Sequence, residues 1–408
     1  MMYLNREIRD KFREMFTQFS VLCLIGSRQV GKSTLVQNLW DDPIETVTFD
    51  PIEDIENARK DPDFFLQNHN TPLFLDEIQY APEILNALKR KVDREKKKGM
   101  YVLSGSQNIS VLKSISESLA GRIAILELPP MSFKEKIGEG TREGFLKKFL
   151  ENETLPKKKE IVFPNISKEI WRGGFPGTLT LADTWIPSFY QSLKTTYIER
   201  DVRIVGGVSD VMEFSNFVTL VSILSGTEIN FSELGRELNI DRKTAERWLN
   251  ILEYSFLWKS IPPFHKNSIK RISHKKKGFF VDTGLACAMQ KISDSRVVLS
   301  LPHFGRLFES FVFAEIFKSL QRYSIQPNYY YFRTNGGAEV DLILEIDGKL
   351  FPVEIKATAN PKKDAEKGIK KFRETFPKEN IRTGLLLSSV EKPYKISETL
   401  VTVPWWYL

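Results

Sequence analysis

An apolar run, Val21-Leu22-Cys23-Leu24-Ile25, leads directly into Gly26-Ser27-Arg28-Gln29-Val30-Gly31-Lys32-Ser33-Thr34. This fits G-x-x-x-x-G-K-[ST] in the context that gives the pattern meaning, after a strand and before a helix. Such a loop commits the chain to an α/β sheet with a strand that ends at a phosphate site. Gly26 and Gly31 let backbone amides approach phosphate oxygens, with Ser27, Arg28, Gln29 and Val30 forming the turn between them. Lys32 offers a point charge to the β and γ phosphates, and Ser33, with Thr34 beside it, is placed to ligate Mg²⁺. Leu73-Phe74-Leu75-Asp76-Glu77 is the expected partner, an apolar strand ending in two carboxylates. Asp76 would hold the Mg²⁺ shell and Glu77 would polarise the attacking water. ATP and Mg²⁺ are therefore the expected cofactors.

Further strands are expected at Thr46 to Phe49, Tyr101 to Leu103 and Ile123 to Leu128, alternating with helical patterns as a P-loop sheet requires. Tyr101-Val102-Leu103-Ser104-Gly105-Ser106 reads as a strand with a polar tip, so Ser104 or Ser106 could sense the γ-phosphate. Arg122 offers a cation for the transition state, in cis or from a neighbouring subunit of a homo-oligomer. It could equally be a surface ion-pair partner.

The chain resembles prokaryotic AAA+ ATPases of a two-part family whose C-terminal half is known only as a domain of unknown function. The resemblance rests on Gly26 to Thr34, Asp76-Glu77-Ile78-Gln79, Ser104-Gly105-Ser106, Leu119-Ala120-Gly121-Arg122 and Pro129-Pro130-Met131-Ser132-Phe133. It continues through Gly173-Gly174-Phe175-Pro176, Glu199-Arg200-Asp201 and Asp282-Thr283-Gly284-Leu285. It implies the ATPase fold strongly and the biological role hardly at all.

The middle of the chain reads as helical from Trp171 to about Pro263. Within it, Phe231 to Leu238, a turn at Asn239-Ile240 and Asp241 to Leu252 form a helix-turn-helix pattern, with Asp241 as N-cap. Leu234, Leu238, Ala245, Trp248, Leu249 and Leu252 fall at core spacing. Arg242, Lys243, Thr244 and Arg247 are left on the side that a recognition helix presents to a duplex. The basic run from Lys266 to Lys277, with Lys275 and Lys276, could form a wing against phosphates. The net charge of +7 and pI near 9.0 agree with a polyanionic partner, although basic runs are often simply solvated faces. A lid that docks a protein remains the alternative to DNA.

Near the C-terminus, Glu339 to Ile346 alternates, Asp347-Gly348 is a two-residue turn, and Lys349 to Ala357 returns. Pairing Ile346 with Lys349 places Asp341 opposite Glu354 and Glu339 opposite Lys356, all four on one face. Val340, Leu342, Leu344 and Ile346 fall on the other, core-facing side. Opposed carboxylates repel, and a bound Mg²⁺ or Mn²⁺ would remove that repulsion, with Lys356 orienting water or stabilising charge on a phosphate. This hairpin resembles the PD-(D/E)xK nuclease fold, with Asp341, Glu354 and Lys356 in the motif positions. The segment Arg306 to Val312 resembles its preceding helix, which makes Glu309 the candidate outer metal ligand, although it could equally be a solvent-facing helix residue and the hairpin a surface one with an ion pair. Two departures stand out: Glu339-Val340 replaces the usual proline before the first carboxylate, and Pro352 removes a backbone donor from the second strand.

The expected organisation is an AAA+ P-loop domain (1–135), a helical connector (136–170), a helical and winged helix-turn-helix module (171–277) and an α/β nuclease-like domain (278–408). Cys23 and Cys287 form no disulfide framework and no apolar run would span a bilayer, so a cytoplasmic, membrane-free protein is expected. The leading expectation is a DNA-binding ATPase that couples nucleotide state to metal-dependent phosphodiester cleavage. The alternative is a nucleotide-dependent switch that binds DNA or a protein and cuts nothing.

Overall fold

The computed structural model describes residues 3–49, 52–105, 118–156, 163–202, 208, 210–266, 275–324 and 327–408. The strands β1 (Val21–Ile25), β2 (Glu45–Thr48), β3 (Leu73–Asp76), β4 (Tyr101–Gly105) and β5 (Ile123–Glu127) form a parallel sheet in the order β2-β3-β4-β1-β5. Central strands β1, β3 and β4 are buried along their whole length, as unbroken apolar runs in a two-faced sheet must be. On one face, Leu22, Leu24 and Val102 pack with Phe12, Phe16 and Leu35. On the other, Cys23, Leu75 and Leu103 pack with Ile84, Leu85 and Leu88 of the helix Ile84–Glu95.

In the middle of the chain, helices Phe231–Leu238 and Arg242–Tyr254 meet at Asn239, which takes left-handed φ of 55°. Gly235 permits that tight turn, since a Cβ there would lie 2.6 Å from the Ile240 carbonyl oxygen. Asp241 caps the second helix by accepting from the Thr244 amide at 3.0 Å. This part is not purely helical. The strands β6 (Thr227–Glu228), β7 (Trp258–Ile261) and β8 (Lys277–Phe280) form an antiparallel sheet in the order β6-β8-β7. The boundary expected at residue 277 therefore cuts through β8, whose hydrogen bonds on both edges assign it to the middle module.

The C-terminal sheet contains β9 (Asn328–Arg333), β10 (Glu339–Ile346), β11 (Lys349–Lys356), β12 (Asn380–Ile381), β13 (Gly384–Ser388), β14 (Tyr394–Lys395) and β15 (Leu400–Pro404). Its order is β14-β15-β13-β11-β10-β9, with β12 also paired to β11. Asp347 and Gly348 turn the hairpin with φ of 49° and 73°, as a turn with two left-handed residues requires. The register follows the expected one from Ile346↔Lys349 to Leu342↔Val353, and Pro352 is accommodated opposite Ile343. The irregularity lies on the other edge of β10, between Val340 and Ile343 where it meets β9. That shift corrects the expected face assignment. Val340 packs with Ile343, Ile369 and Phe372, whereas Leu342 and Leu344 join Phe308, Phe311 and Val312 on the opposite face. Both faces are covered, by the helices Phe304–Leu320 and Lys367–Thr375, so the hairpin is an interior one.

Two of the sequence motifs make the seam between the modules. Gly173, with φ of 65°, has no room for a Cβ, which would meet the Tyr190 hydroxyl at 2.3 Å and Asp282 Oδ1 at 2.4 Å. The Gly174 amide donates to Asp282 Oδ2 at 2.6 Å, and the Met131 amide donates to the Gly174 carbonyl at 2.6 Å. Asp282 also caps the helix Thr283–Met289 through the Leu285 amide at 2.8 Å. Gly173-Gly174 and Asp282 are therefore packing positions that join three segments.

Candidate functional site

The C-terminal ends of β1, β3 and β4 bring the phosphate loop, Asp76 and Ser104 to one edge of the sheet. Gly26 follows β1 with φ of 151°, and its α-carbon is pressed so closely on the Leu128 carbonyl that a Cβ would sit 2.3 Å from the oxygen. Gly31 follows with φ of 91° and starts the helix Lys32–Gln37. The buried Lys32 ammonium donates to the carbonyls of Gly26 and Ser27, each at 3.0 Å, and so lies folded over the loop. Burial pushes its pKa down to about 8, against the pull of Glu77 and Asp76. A second anionic group beside it would favour its charged form.

Ser33 Oγ donates to Asp76 Oδ2 at 2.5 Å, and Ser104 Oγ donates to Asp76 Oδ1. The Glu77 amide donates to Asp76 Oδ1 at 3.1 Å, with Glu77 itself in left-handed conformation at φ of 57°. Its carboxylate accepts from Gln79 Nε2. Among the described residues, the buried Ser27 Oγ has no hydrogen-bond partner, a donor left over inside the loop. These groups fit a Mg²⁺–nucleotide: Ser33 and Asp76 would hold the cation, while Lys32, the loop amides and Ser27 would meet phosphate oxygens. Arg28 and Gln29 lie on the outer side of the loop, with Arg28 Nη2 3.3 Å from the Tyr80 hydroxyl. Thr34 is exposed, and Val30 is buried with its carbonyl facing inward.

Beside the loop lies a cavity of about 560 Å³, lined by Tyr3, Leu4, Val30, Met131, Pro176 and Leu179 among others. It is the right size and polarity for a nucleobase and sugar. Sequence reasoning missed it because its walls come from an N-terminal segment and from the turn after Gly174. The Gly173-Gly174-Phe175-Pro176 motif was the available signal.

Arg6, also unanticipated, clamps the loop from behind. Its guanidinium donates to the Val30 carbonyl at 2.7 Å and the Pro129 carbonyl at 2.6 Å and pairs with Glu135 at 3.0 Å. From there the polar contacts run into the C-terminal domain. Glu135 accepts from the Glu7 amide at 2.5 Å, Ser132 Oγ donates to Glu7 Oε1 at 2.6 Å, and the Phe133 amide donates to Glu315 at 2.6 Å. Burial, and then the charge of Glu135, push the Glu7 carboxyl up to about 7, against the hydroxyl of Ser132. The folded protein thus holds a proton that the unfolded chain releases near 4.5, so this group's stabilisation is lost as pH rises from 4.5 through 7. Glu7→Gln should therefore gain on the wild type across that window, by about 3 kcal/mol at most, as the difference between their melting curves. A difference that stays flat with pH would contradict the assignment.

Ser106 lies outside the described residues, whereas Ser104, at the same strand tip, brings its hydroxyl to Asp76 beside that of Ser33. Arg122 precedes β5, at the sheet end opposite the loop, since Val21 pairs with Ile123 and Ile25 with Glu127. There it pairs with Asp93, bonded through Nη2 at 2.9 Å. It does not reach the phosphate site of its own chain. A transition-state role would fall to a second copy.

On the middle module, Arg242, Lys243 and Arg247 are exposed on one side of the second helix, while Ala245, Trp248, Leu249 and Leu252 are buried. Arg242 shares a cavity of about 480 Å³ with the exposed Lys275 and Lys276, and with Glu246 and Glu253. The helix and the strand that follows the basic run therefore form one concave surface.

In the C-terminal domain, Asp341, Glu354 and Lys356 converge as expected. Lys356 Nζ lies 3.2 Å from Asp341 and 3.1 Å from Glu354, and Asp341 Oδ2 accepts from the Ile355 amide at 2.8 Å. Glu309 joins them from the helix Phe304–Leu320. Its partner is Lys277, from β8 of the middle module, at 2.6 Å. Lys277 Nζ is also 2.8 Å from Glu339 and 3.7 Å from Asp341. Burial draws the Lys277 ammonium down, but Glu309, Asp341 and Glu339 outweigh it and hold it charged. Burial and Asp341 push Glu309 up to about 8 and raise Glu354 well above the carboxylate range. Asp341 is held low because Lys277, Lys356 and the Ile355 amide overcome its burial. Among the described residues, no group of three or more His, Cys, Asp or Glu side chains is arranged to hold a metal ion. Of the opposed carboxylates, read from sequence as a Mg²⁺ or Mn²⁺ site, Asp341 faces both Lys277 and Lys356, and Glu354 faces Lys356. Lys277 escaped the sequence reading because its partners lie in other segments and its flanking basic run suggested a solvent-facing wing.

No helix among the described residues is long and apolar enough to cross a membrane. Family models match three stretches: an AAA domain at residues 18–137, domain of unknown function DUF8612 at 164–296 and domain of unknown function DUF4143 at 304–408. Uncharacterized proteins of Mycobacterium bovis and Mycobacterium tuberculosis are 26% identical, over 99% of this chain and 84% of theirs. Among solved structures, a Walker-type ATPase of Pyrococcus abyssi is similar at 16% identity and a TM-score of 0.40, covering 71% of this chain and 96% of that one. A RuvB variant of Thermotoga maritima is similar at 17% identity and a TM-score of 0.31, covering 64% and 90%. The motif, the sheet order and the match at 18–137 together make the N-terminal part of this chain an AAA-type P-loop ATPase domain.

Proposed function

We propose that this protein is an ATP-hydrolysing switch that binds duplex DNA through its middle module and uses its C-terminal domain for docking. The observation that carries it is the convergence of Lys32, Ser33, Asp76, Glu77 and Ser104 at one sheet edge. Bound Mg²⁺ would neutralise charge on the nucleotide's terminal phosphates. For its part, the chain positions those phosphates with Lys32 and the loop amides and orients Ser33 through Asp76. Glu77, held by Gln79 and anchored by its own amide, takes a proton from the attacking water. The tie from Arg6 through Glu135 and Ser132 to Glu315 gives the loop a path to the C-terminal helix.

The middle module supports a winged-helix reading, with Arg242, Lys243, Arg247, Lys275 and Lys276 against phosphates. Replacing Arg242, Lys243 and Arg247 together by alanine should weaken duplex binding regardless of sequence. It should also flatten the log–log salt dependence by about 2 to 3, close to 0.9 for each phosphate that is no longer neutralised. Unchanged slope and affinity in a binding titration would move the partner from DNA to a protein.

A second reading, metal-dependent phosphodiester cleavage, is favoured by the approach of Lys356 to Asp341 and Glu354. It needs a divalent cation among carboxylates that Lys277 already neutralises, and it stands or falls with metal binding at Asp341.

A further inference from the structure

The PD-(D/E)xK resemblance implies a divalent cation at Asp341 and Glu354, with Glu309 beyond. The residues present do not fit one. The Lys277 ammonium stands 2.6 Å from Glu309, 2.8 Å from Glu339 and 3.7 Å from Asp341, and its side chain is 2% exposed. A Mg²⁺ needs near-octahedral oxygen ligands at short range and could not share that space with an ammonium, whose charge would repel it. Lys277 also enters from a fixed backbone. Its strand β8 is the middle strand of its sheet, bonded to β6 on one edge and β7 on the other. The neighbouring strand end is fixed as well, because the Tyr331 hydroxyl of β9 donates to the Lys275 carbonyl at 2.7 Å. A buried lysine in this setting requires its carboxylates, and opposed carboxylates in a sheet are relieved by a nearby cation.

We propose that Lys277 is the resident cation of this acidic centre, so that its carboxylates lock the middle module onto the C-terminal domain instead of binding a divalent metal. The carboxylates around Lys277 come from two elements, Glu309 from the helix Phe304–Leu320 and Glu339 and Asp341 from β10, whereas Glu354 of β11 pairs with Lys356. The cation comes from a third, in another module. This arrangement makes the centre an internal docking site built on a metal-site scaffold, independent of whether the phosphate loop hydrolyses ATP.

The test is calorimetric titration of the nucleotide-free full chain with Mn²⁺, each protein run beside its own Asp341→Asn derivative to subtract binding elsewhere. Wild type should match its Asp341→Asn derivative up to about 1 mM Mn²⁺, the weak-binding limit of such a titration. Lys277→Met should acquire one Asp341-dependent equivalent, bound at least tenfold tighter than anything in wild type. Should Lys277→Met fail to fold, Lys277→Gln, which keeps a hydrogen-bond donor, is titrated and read the same way. One Mn²⁺ equivalent in wild type that Asp341→Asn removes would overturn the proposal. A folded Lys277 variant that gains no Mn²⁺ would overturn it equally, since Lys277 would then not be the group that takes the place of a divalent ion.

Discussion

Lys32→Ala should abolish ATP turnover and weaken nucleotide binding by at least about a hundredfold, roughly 3 kcal/mol for a buried, charge-assisted contact. The size of the effect follows from where the ammonium lies. It is buried and folded over the Gly26 and Ser27 carbonyls. The substitution should leave the fold intact, since the helix it begins is anchored by Leu35 and Val36 in the core. Equilibrium binding of a fluorescent ATP analogue together with a phosphate-release assay checks both parts. Retained turnover would mean that the phosphate site has been misplaced.

Glu77→Gln should separate binding from hydrolysis. Glu77 touches the Mg²⁺ carboxylate only through its backbone amide, which the substitution preserves. ATP affinity should therefore stay within about threefold, while turnover falls by about 10²- to 10⁴-fold, the range for a lost general base. The variant would accumulate as an ATP-bound species, visible as unhydrolysed nucleotide retained through gel filtration. Turnover within a few-fold of wild type would remove Glu77 from the mechanism and direct attention to another group at the strand ends.

How legible this molecule is from its sequence depends on how local each feature is. The phosphate loop, Asp76 and Glu77 were readable because strand, turn and helix are encoded within a few residues, and the sheet then places the strand ends side by side. The helix-turn-helix and the β10–β11 register were readable for the same reason. What escaped is non-local. Arg6 reaches the loop from 24 residues away in sequence, and the cavity beside it is closed by Pro176 and Leu179. Lys277 meets Glu309 and Glu339 across a module boundary that the sequence reading had drawn at that same residue. Arg122 shows the converse. Its motif suggested chemistry, but the parallel pairing of β1 with β5 puts it at the far end of the sheet. The shifted face of Val340 came from an irregularity between strands, which no alternation of apolar residues reports.

The central claim is that nucleotide state at the phosphate loop controls duplex binding by the middle module. Its most direct test is fluorescence anisotropy of a labelled duplex titrated with Glu77→Gln in ATP, wild type in ADP, and Lys32→Ala in either nucleotide. The account predicts that duplex affinity differs at least tenfold, about 1.4 kcal/mol, between the ATP-held and ADP states, with no such difference in Lys32→Ala. Equal duplex affinity in the ATP-held and ADP states, or no salt-dependent binding in any of them, would contradict it.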